Sequence, residues 1–314
     1  MRIPLSVPAA RPFDVVAVGL NSIDLLAVVE GHPAANAKTR MHAFAELPGG
    51  QAASAASAMA KLGLTTAYIG RFGDDDFGRR GLESLRAEGV DVSDAVVVPG
   101  ATSQFAVILV DRLTGSRTVA WNRHPGLSMS PADVPSAAVA RARVLHVDCH
   151  ETAAVAAAAS DARRAGTRTV IDVERVRPGI DALLRDIDVI IAAEGFPAEY
   201  TGCTAHGAAL AKLQRDTGAP VVCVTLGESG SLCLAGGREI ATPAFRVPVV
   251  DSTGAGDVFR SCFIAGWLLG GDTVELELVL RWANAVAALK CRGLGARTAS
   301  PTTAELHAFL EGRM

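Results

Sequence analysis

Two hydrophobic patterns alternate along this chain. Short unbroken apolar runs, many of them β-branched, occur as DVVAVGL (14–20), RVLHVD (143–148), RTVIDV (168–173), DVIIAA (188–193) and PVVCVTLG (220–227). Runs of this kind suit strands covered on both faces, as in parallel sheets. Between them lie segments of helical character: 51–62 closed by Gly63, 77–88 closed by Gly89, and stretches near 152–165 and 204–217. A glycine just past the last helical residue is a stop signal, because it takes the left-handed conformation cheaply. Strand and helix in turn predict βαβ units on a parallel sheet. A strand over 65–70, a hairpin over 230–241 and helices near 255–269, 275–290 and 302–311 complete the rhythm. Two segments break it. Thr39–Leu47 and Ser103–Asn122, the latter with a turn at Leu113–Ser116, have β-like composition and are expected to form a small separate sheet.

Composition narrows the class. The chain has 314 residues, 49% hydrophobic and 20% charged, and a formal charge of −3. That much apolar content buries a large core and excludes a disordered chain. The near-neutral charge removes the long-range attraction of a nucleic-acid or membrane-surface binder. No apolar stretch approaches the roughly 20 residues a membrane helix needs. The start, MRIPLSVPAARPFD, is broken by Pro4, Pro8 and Pro12 and lacks the apolar region of a signal peptide. Residues 1–13 are read as a disordered leader, and a cytoplasmic location is expected. The six cysteines form no Cys-x-x-Cys pair and read as buried small hydrophobes, while the seven histidines show no metal-ligand spacing.

The chemistry concentrates in VVDSTGAGDVFRSCFIAGWLLGG. Gly254 and Gly256 allow backbone conformations and close approaches that a side chain would forbid. The N–H groups that follow open a helix, so they lack intrahelical partners and sit at the positive end of its dipole. Gly254, Ala255 and Gly256 thus form an anion site fit for a phosphoryl group. Asp257 would repel a phosphate but makes sense facing a hydroxyl, accepting its proton as the oxygen attacks phosphorus. Alone, this pattern is equally that of a capped helix. There is no Gly-x-x-x-x-Gly-Lys-Ser/Thr and no Gly-x-Gly-x-x-Gly, so neither a P-loop nor a dinucleotide site fits.

DSTGAGD opening an apolar helix resembles the signature of the ribokinase/pfkB family of carbohydrate kinases. PGGQAASAASAMAKLG (48–63) followed by YIGRFGDDDFG (68–78) resembles that family's N-terminal signature, and VTLGESG (224–230) its nucleotide-loop strand. The resemblance spans roughly residues 14–311. It implies a doubly wound α/β fold with a mostly parallel sheet, and a β-sheet lid built from segments near 36–48 and 101–124. It also implies ATP-dependent phosphorylation of a sugar hydroxyl, with Mg²⁺ as the ATP counter-ion, and a homodimer formed through the lid.

Residue by residue, the resemblance makes Asp257 the general base and Asp24 the carboxylate that binds sugar hydroxyls. Gly49 and Gly50 match a diglycine that lets sugar approach the backbone, and Ser54 stands where the family often has Asn. Thr225 and Gly227 resemble nucleotide contacts, with Asn284 an adenine neighbour. Asp251 and Thr253 match positions that supply oxygen ligands to K⁺ in relatives activated by that ion. The family's Asn-x-x-Glu is missing from AAEGFPAEYTG, where Glu194 is the stand-in acid for Mg²⁺. The branches resembled are the sulfofructose kinases and ketohexokinases, which phosphorylate the 1-hydroxyl of a ketose. In that reading Lys38 and Arg123 hold an anionic end of the substrate, and His150 takes a position where the sulfosugar enzymes use Arg. Ribokinase or nucleoside kinase activity and a non-catalytic sugar sensor are the alternatives.

Overall fold

The computed structural model describes residues 1–311. Strand β1 (Phe13–Val18) lies inside the main sheet, and the chain then crosses directly to a second sheet through β2 (Ser22–Val29) and β3 (Ala43–Gly49). Helix α1 (Gln51–Lys61) returns it to β4 (Thr66–Ile69), parallel to β1. Next come β5 (Arg71–Gly73), α2 (Asp76–Ala87) and β6 (Val96–Val98), followed by β7 (Phe105–Asp111) and β8 (Arg117–Asn122) of the second sheet. A regular alternation follows: α3 (Ser136–Ala140), β9 (Ala142–Asp148), α4 (Thr152–Ala165), β10 (Arg168–Val173), α5 (Ile180–Leu184) and β11 (Val189–Ala193). It continues through α6 (Phe196–Thr201), α7 (His206–Thr217) and β12 (Val221–Thr225). The hairpin β13 (Ser231–Ala235) and β14 (Arg238–Thr242) precedes α8 (Ala255–Gly270), α9 (Leu276–Lys290) and α10 (Thr303–Glu311).

The eight-stranded sheet runs β14-β13-β12-β11-β10-β9-β1-β4, with parallel pairing from β12 to β4 and β13 running antiparallel between β12 and β14 at one edge. Its continuous apolar runs are explained by cover on both sides. Along β1, Val15 and Ala17 join one buried cluster with α1, α8 and α9, while Val16 and Val18 join the other with α4 and α7. This is the doubly wound α/β architecture, and it sets the C-terminal ends of the parallel strands at one rim, where open α/β sheets bind ligands.

The second sheet has four strands in the order β3-β2-β7-β8. The apolar pattern gave no strand between residues 20 and 39, but β2 lies there. Gly19 and the two residues after it break a long apolar run, and the chain leaves one sheet for the other there. The Gly19 φ is +150°, and a Cβ at that position would lie 2.1 Å from the Asp148 carboxylate. Residues 36–42 are an exposed loop, so the strand in the first lid segment begins only at Ala43.

The leader is the main departure. Residues 1–13 were expected to be disordered, yet Phe13 opens β1, and Ile3 and Leu5 are buried in the core cluster that holds α8 and α9. Arg2 bridges to Glu275, the Val7 N–H donates to Asp272, and Arg11 donates to the carbonyls of Ala140, Ala142 and Ala165. Prolines rule out a helix here but fit an extended strap, and the alternate apolar residues Ile3 and Leu5 point inward. Replacing both with Ala is expected to cost about 2 kcal/mol each, the low end for buried aliphatics, read as a lower urea midpoint. An unchanged midpoint would show that the strap adds nothing to stability.

Candidate active site

Helix α8 begins at the Gly-rich turn. Gly254 takes a left-handed conformation (φ 78°) at its N-cap, where no side chain caps the helix. A Cβ on Gly254 would come within 2.8 Å of Ala296, and one on Gly256 within 2.3 Å of Arg260 Nη1. Gly254 is thus required by the turn and by its backbone neighbour, and Gly256 by the guanidinium packed against it. The first-turn amides remain open to an anion, reinforced by the helix dipole.

Asp257 sits in that first turn and is half-buried. It hydrogen-bonds Asp172, the penultimate residue of β10. The Arg260 guanidinium, one turn along α8, is buried and packs 2.8 Å from Asp172 Oδ1 while its Nε donates to the Ile191 carbonyl. Burial pushes the Asp257 carboxyl up to about 6, against the pull of Arg260 and Arg117. Burial also raises Asp172 well above the usual carboxylate range. Two acids in contact beside one guanidinium titrate as a pair. A carboxyl raised in this way can take up a proton near neutral pH, and its environment was invisible in sequence: Asp172 and Arg260 lie 85 and 3 residues from Asp257 with no motif joining them. His146, buried beneath this cluster on β9, is held down to about 4 by desolvation and then by the Arg260 charge, and stays neutral.

A second carboxylate defines the opposite wall. Asp24 is buried on β2 and accepts from the Ser22 hydroxyl at 2.7 Å. A Cβ on Gly49 would lie 2.1 Å from it, and one on Gly50 (φ 86°) would strike the Asn21 backbone. The diglycine thus makes room for this corner. Burial raises the Asp24 carboxyl, with Arg297 and then Arg117 pulling it down. Arg297 in turn feels both Asp24 and Asp257, so the two acids share one electrostatic environment.

The second sheet lies over this space. Its register aligns Asp24 with Ala106 and Ala106 with Trp121, so these three side chains share one face. The Trp121 side chain is 67% exposed on that face. Arg117, in register with Val110 on the same face, donates to the Ser252 hydroxyl at 2.9 Å, and Ser252 donates to the Gly115 carbonyl. The hairpin tip thereby touches the turn that opens α8. Sequence reading passed over Arg117 and Trp121 because only strand register reveals which side they face.

A cleft of about 1030 Å³ adjoins this space, between the hairpin tip, the 225–230 loop, residues 244–249 and the facing sides of α8 and α9. Thr225, Gly227 and Asn284 all line it. The Asn284 amide donates to Ser231 Oγ and to the Leu280 carbonyl, both at 2.9 Å.

Other candidates lie apart from this convergence. Lys38 is exposed on the loop before β3. Arg123 is paired with the buried Glu151 at 2.5 Å and donates to the Leu127 carbonyl. His150 lies 3.6 Å from Glu174. Ser54 is fully buried in α1, and its hydroxyl meets no hydrogen-bond partner among the described residues. Glu194 is exposed after β11, 4.0 Å from His206. Asp251 and Thr253 do not fit a bound K⁺. Asp251 Oδ1 accepts from the Thr253 N–H and hydroxyl, Oδ2 from the Gly295 N–H, and its carbonyl from the Lys290 ammonium at 2.7 Å. All three Asp251 oxygens are thus already engaged by the protein itself.

Residues 13–303 match the family described as pfkB family carbohydrate kinase. Fructokinase-1 of Oryza sativa subsp. japonica is 29% identical, over 96% of this chain and 99% of that protein. An ATP-dependent ribose-1-phosphate kinase of Halopiger xanaduensis is 30% identical, over 95% and 98%. The solved structure of Arabidopsis thaliana ribokinase complexed with ribose and ATP superposes with a TM-score of 0.79 at 25% identity, covering 95% of this chain and 99% of that one. Match, architecture and the glycine-turn carboxylate converge on one conclusion: this chain belongs to the PfkB family of carbohydrate kinases, and it is an ATP-dependent kinase.

Proposed function

We propose that this kinase phosphorylates the 1-hydroxyl of a ketose, with MgATP as the phosphoryl donor. The observation that carries the reading is the placement of two carboxylates, Asp24 and Asp257, in one electrostatic environment beneath the second sheet. Asp24, with both oxygens beside the opening at Gly49, accepts from vicinal hydroxyls and orients the sugar. Asp257 takes the proton of the acceptor hydroxyl as its oxygen bonds to the γ-phosphorus. The bond from that phosphorus to the β-bridging oxygen breaks, and ADP leaves. Amides of Gly254, Ala255 and Gly256 stabilise the charge on the transferring group. Mg²⁺, arriving with the nucleotide, neutralises phosphate charge. The nucleotide occupies the cleft lined by Thr225, Gly227 and Asn284. The second sheet serves as a lid that excludes water, so the phosphoryl group goes to sugar instead of solvent.

Fructokinases among the relatives favour a neutral ketose, and Arg123 fits that choice because Glu151 already neutralises it. An anionic sugar is the second reading. Arg117 favours it: the guanidinium is exposed on the lid's inner side and has no carboxylate within 4.0 Å among the described residues. On the lid's outer side Phe44 and Val107 are 56% and 42% exposed, and a second copy of the chain covering them belongs to the same proposal.

An ADP-release assay across fructose, sulfofructose, ribose, ribose 1-phosphate and nucleosides tests the substrate. Fructose is expected to give the highest kcat/KM; preference for a phosphorylated or sulfonated sugar supports the second reading, and a nucleoside preference overturns both. Asp257→Asn is expected to lower kcat by about 10²–10⁴ with ATP affinity nearly intact, whereas wild-type turnover would remove Asp257 from its role. Because its carboxyl is raised, it protonates at higher pH than an ordinary aspartate. Wild-type kcat/KM should therefore fall roughly tenfold per unit below about pH 6. Arg260→Met removes the cation that favours both ionised acids, so the acid limb is expected to move to higher pH, and Arg260→Lys to restore it. An unmoved limb in a folded Arg260→Met protein would assign Arg260 to packing alone.

A further inference from the structure

The glycine turn is held from below by a buried positive charge. Lys290, the last residue of α9, is fully buried. Its ammonium donates to the Asp251 carbonyl at 2.7 Å and to the Gly293 carbonyl at 3.5 Å, and lies 4.0 Å from Asp251 Oδ2. The Asp251 carboxylate also gathers the Thr253 N–H and hydroxyl and the Gly295 N–H. The backbone N–H groups of Val250 and Asp251 donate to the Cys291 carbonyl, closing the 291–295 loop against the turn. Two main-chain carbonyls and a carboxylate around one point make the oxygen-lined environment a hard monovalent cation would seek. Here a covalently attached ammonium fills it, and a buried charge persists only where such partners compensate its lost hydration.

We propose that Lys290 is a built-in monovalent cation, which holds residues 251–257 in their phosphoryl-accepting shape and frees this kinase from dissolved K⁺. The ammonium supplies the positive charge, and its tether removes the entropic cost of capturing an ion. It also pins Asp251 and the 291–295 loop together, against which Gly254 packs through Ala296. The assignment holds whichever sugar is accepted, because ATP binding and melting report on it without an acceptor.

The test measures wild-type turnover, ATP affinity and melting temperature in K⁺, NH₄⁺, Na⁺ and tetramethylammonium chlorides at equal ionic strength. Turnover and affinity are expected to agree within about twofold across all four, and melting to be unchanged. Several-fold activation or tighter ATP binding in K⁺ would overturn the proposal, with no variant needed. Lys290→Ala removes the charge and leaves room for an ion. In tetramethylammonium it is expected to lose at least tenfold in kcat or ATP affinity, with K⁺ or NH₄⁺ restoring much of the loss. A folded Lys290→Ala protein that matches wild type in tetramethylammonium, or that no cation rescues, would also overturn it.

Discussion

The first turn of α8 carries no side-chain cap, so its shape has to be held by groups outside the helix. The protein meets this from three directions. Asp251 folds its carboxylate over Thr253 and Gly295. Lys290 holds the Asp251 carbonyl from beneath. Arg260 reaches back past Gly256, which has no side chain to obstruct it, and pairs with Asp172. The glycines are thus matched to these supports, which leave no room for a side chain. A buried guanidinium and a buried ammonium near one turn also compensate the acids placed there, Asp172 and Asp251.

The lid is built on the same economy of placement. One sheet face carries Asp24 at one end and Arg117 at the other, with a floor of small and aliphatic residues between. Period-two alternation puts the Asp24 carboxylate and the Arg117 guanidinium on the same side, the latter over the glycine turn, while Phe44 and Val107 turn outward.

Much of the core architecture was legible because parallel strands covered on both faces read as unbroken apolar runs, as 168–173 and 220–227 do. The glycine turn was legible because a phosphoryl site needs glycine and a helix start in immediate succession. What stayed hidden depends on distant contacts. Strand β2 escaped because Gly19–Asn21 looks like the end of a strand, when it is the passage between two sheets. The ordered strap at residues 1–12 escaped because its prolines mimic those of a disordered leader, and only the groove beside α8 and α9 explains its burial. Lys290 carried no signal of its own in the sequence, and Arg123 read as a free cation, until their partners Asp251 and Glu151 were placed. Charge in a sequence shows supply, whereas the partner decides whether it remains available.

The hairpin joining β7 to β8 rests its tip on the loop ahead of α8, through Arg117 on Ser252 and through Gly115, where an added Cβ would fall 2.4 Å from Val249. Because β2 belongs to the same hydrogen-bonded board, any swing that lifts this tip also carries Asp24 away from its corner. Under the proposed function, the grip on the sugar and the roof over the triphosphate would therefore loosen in a single motion.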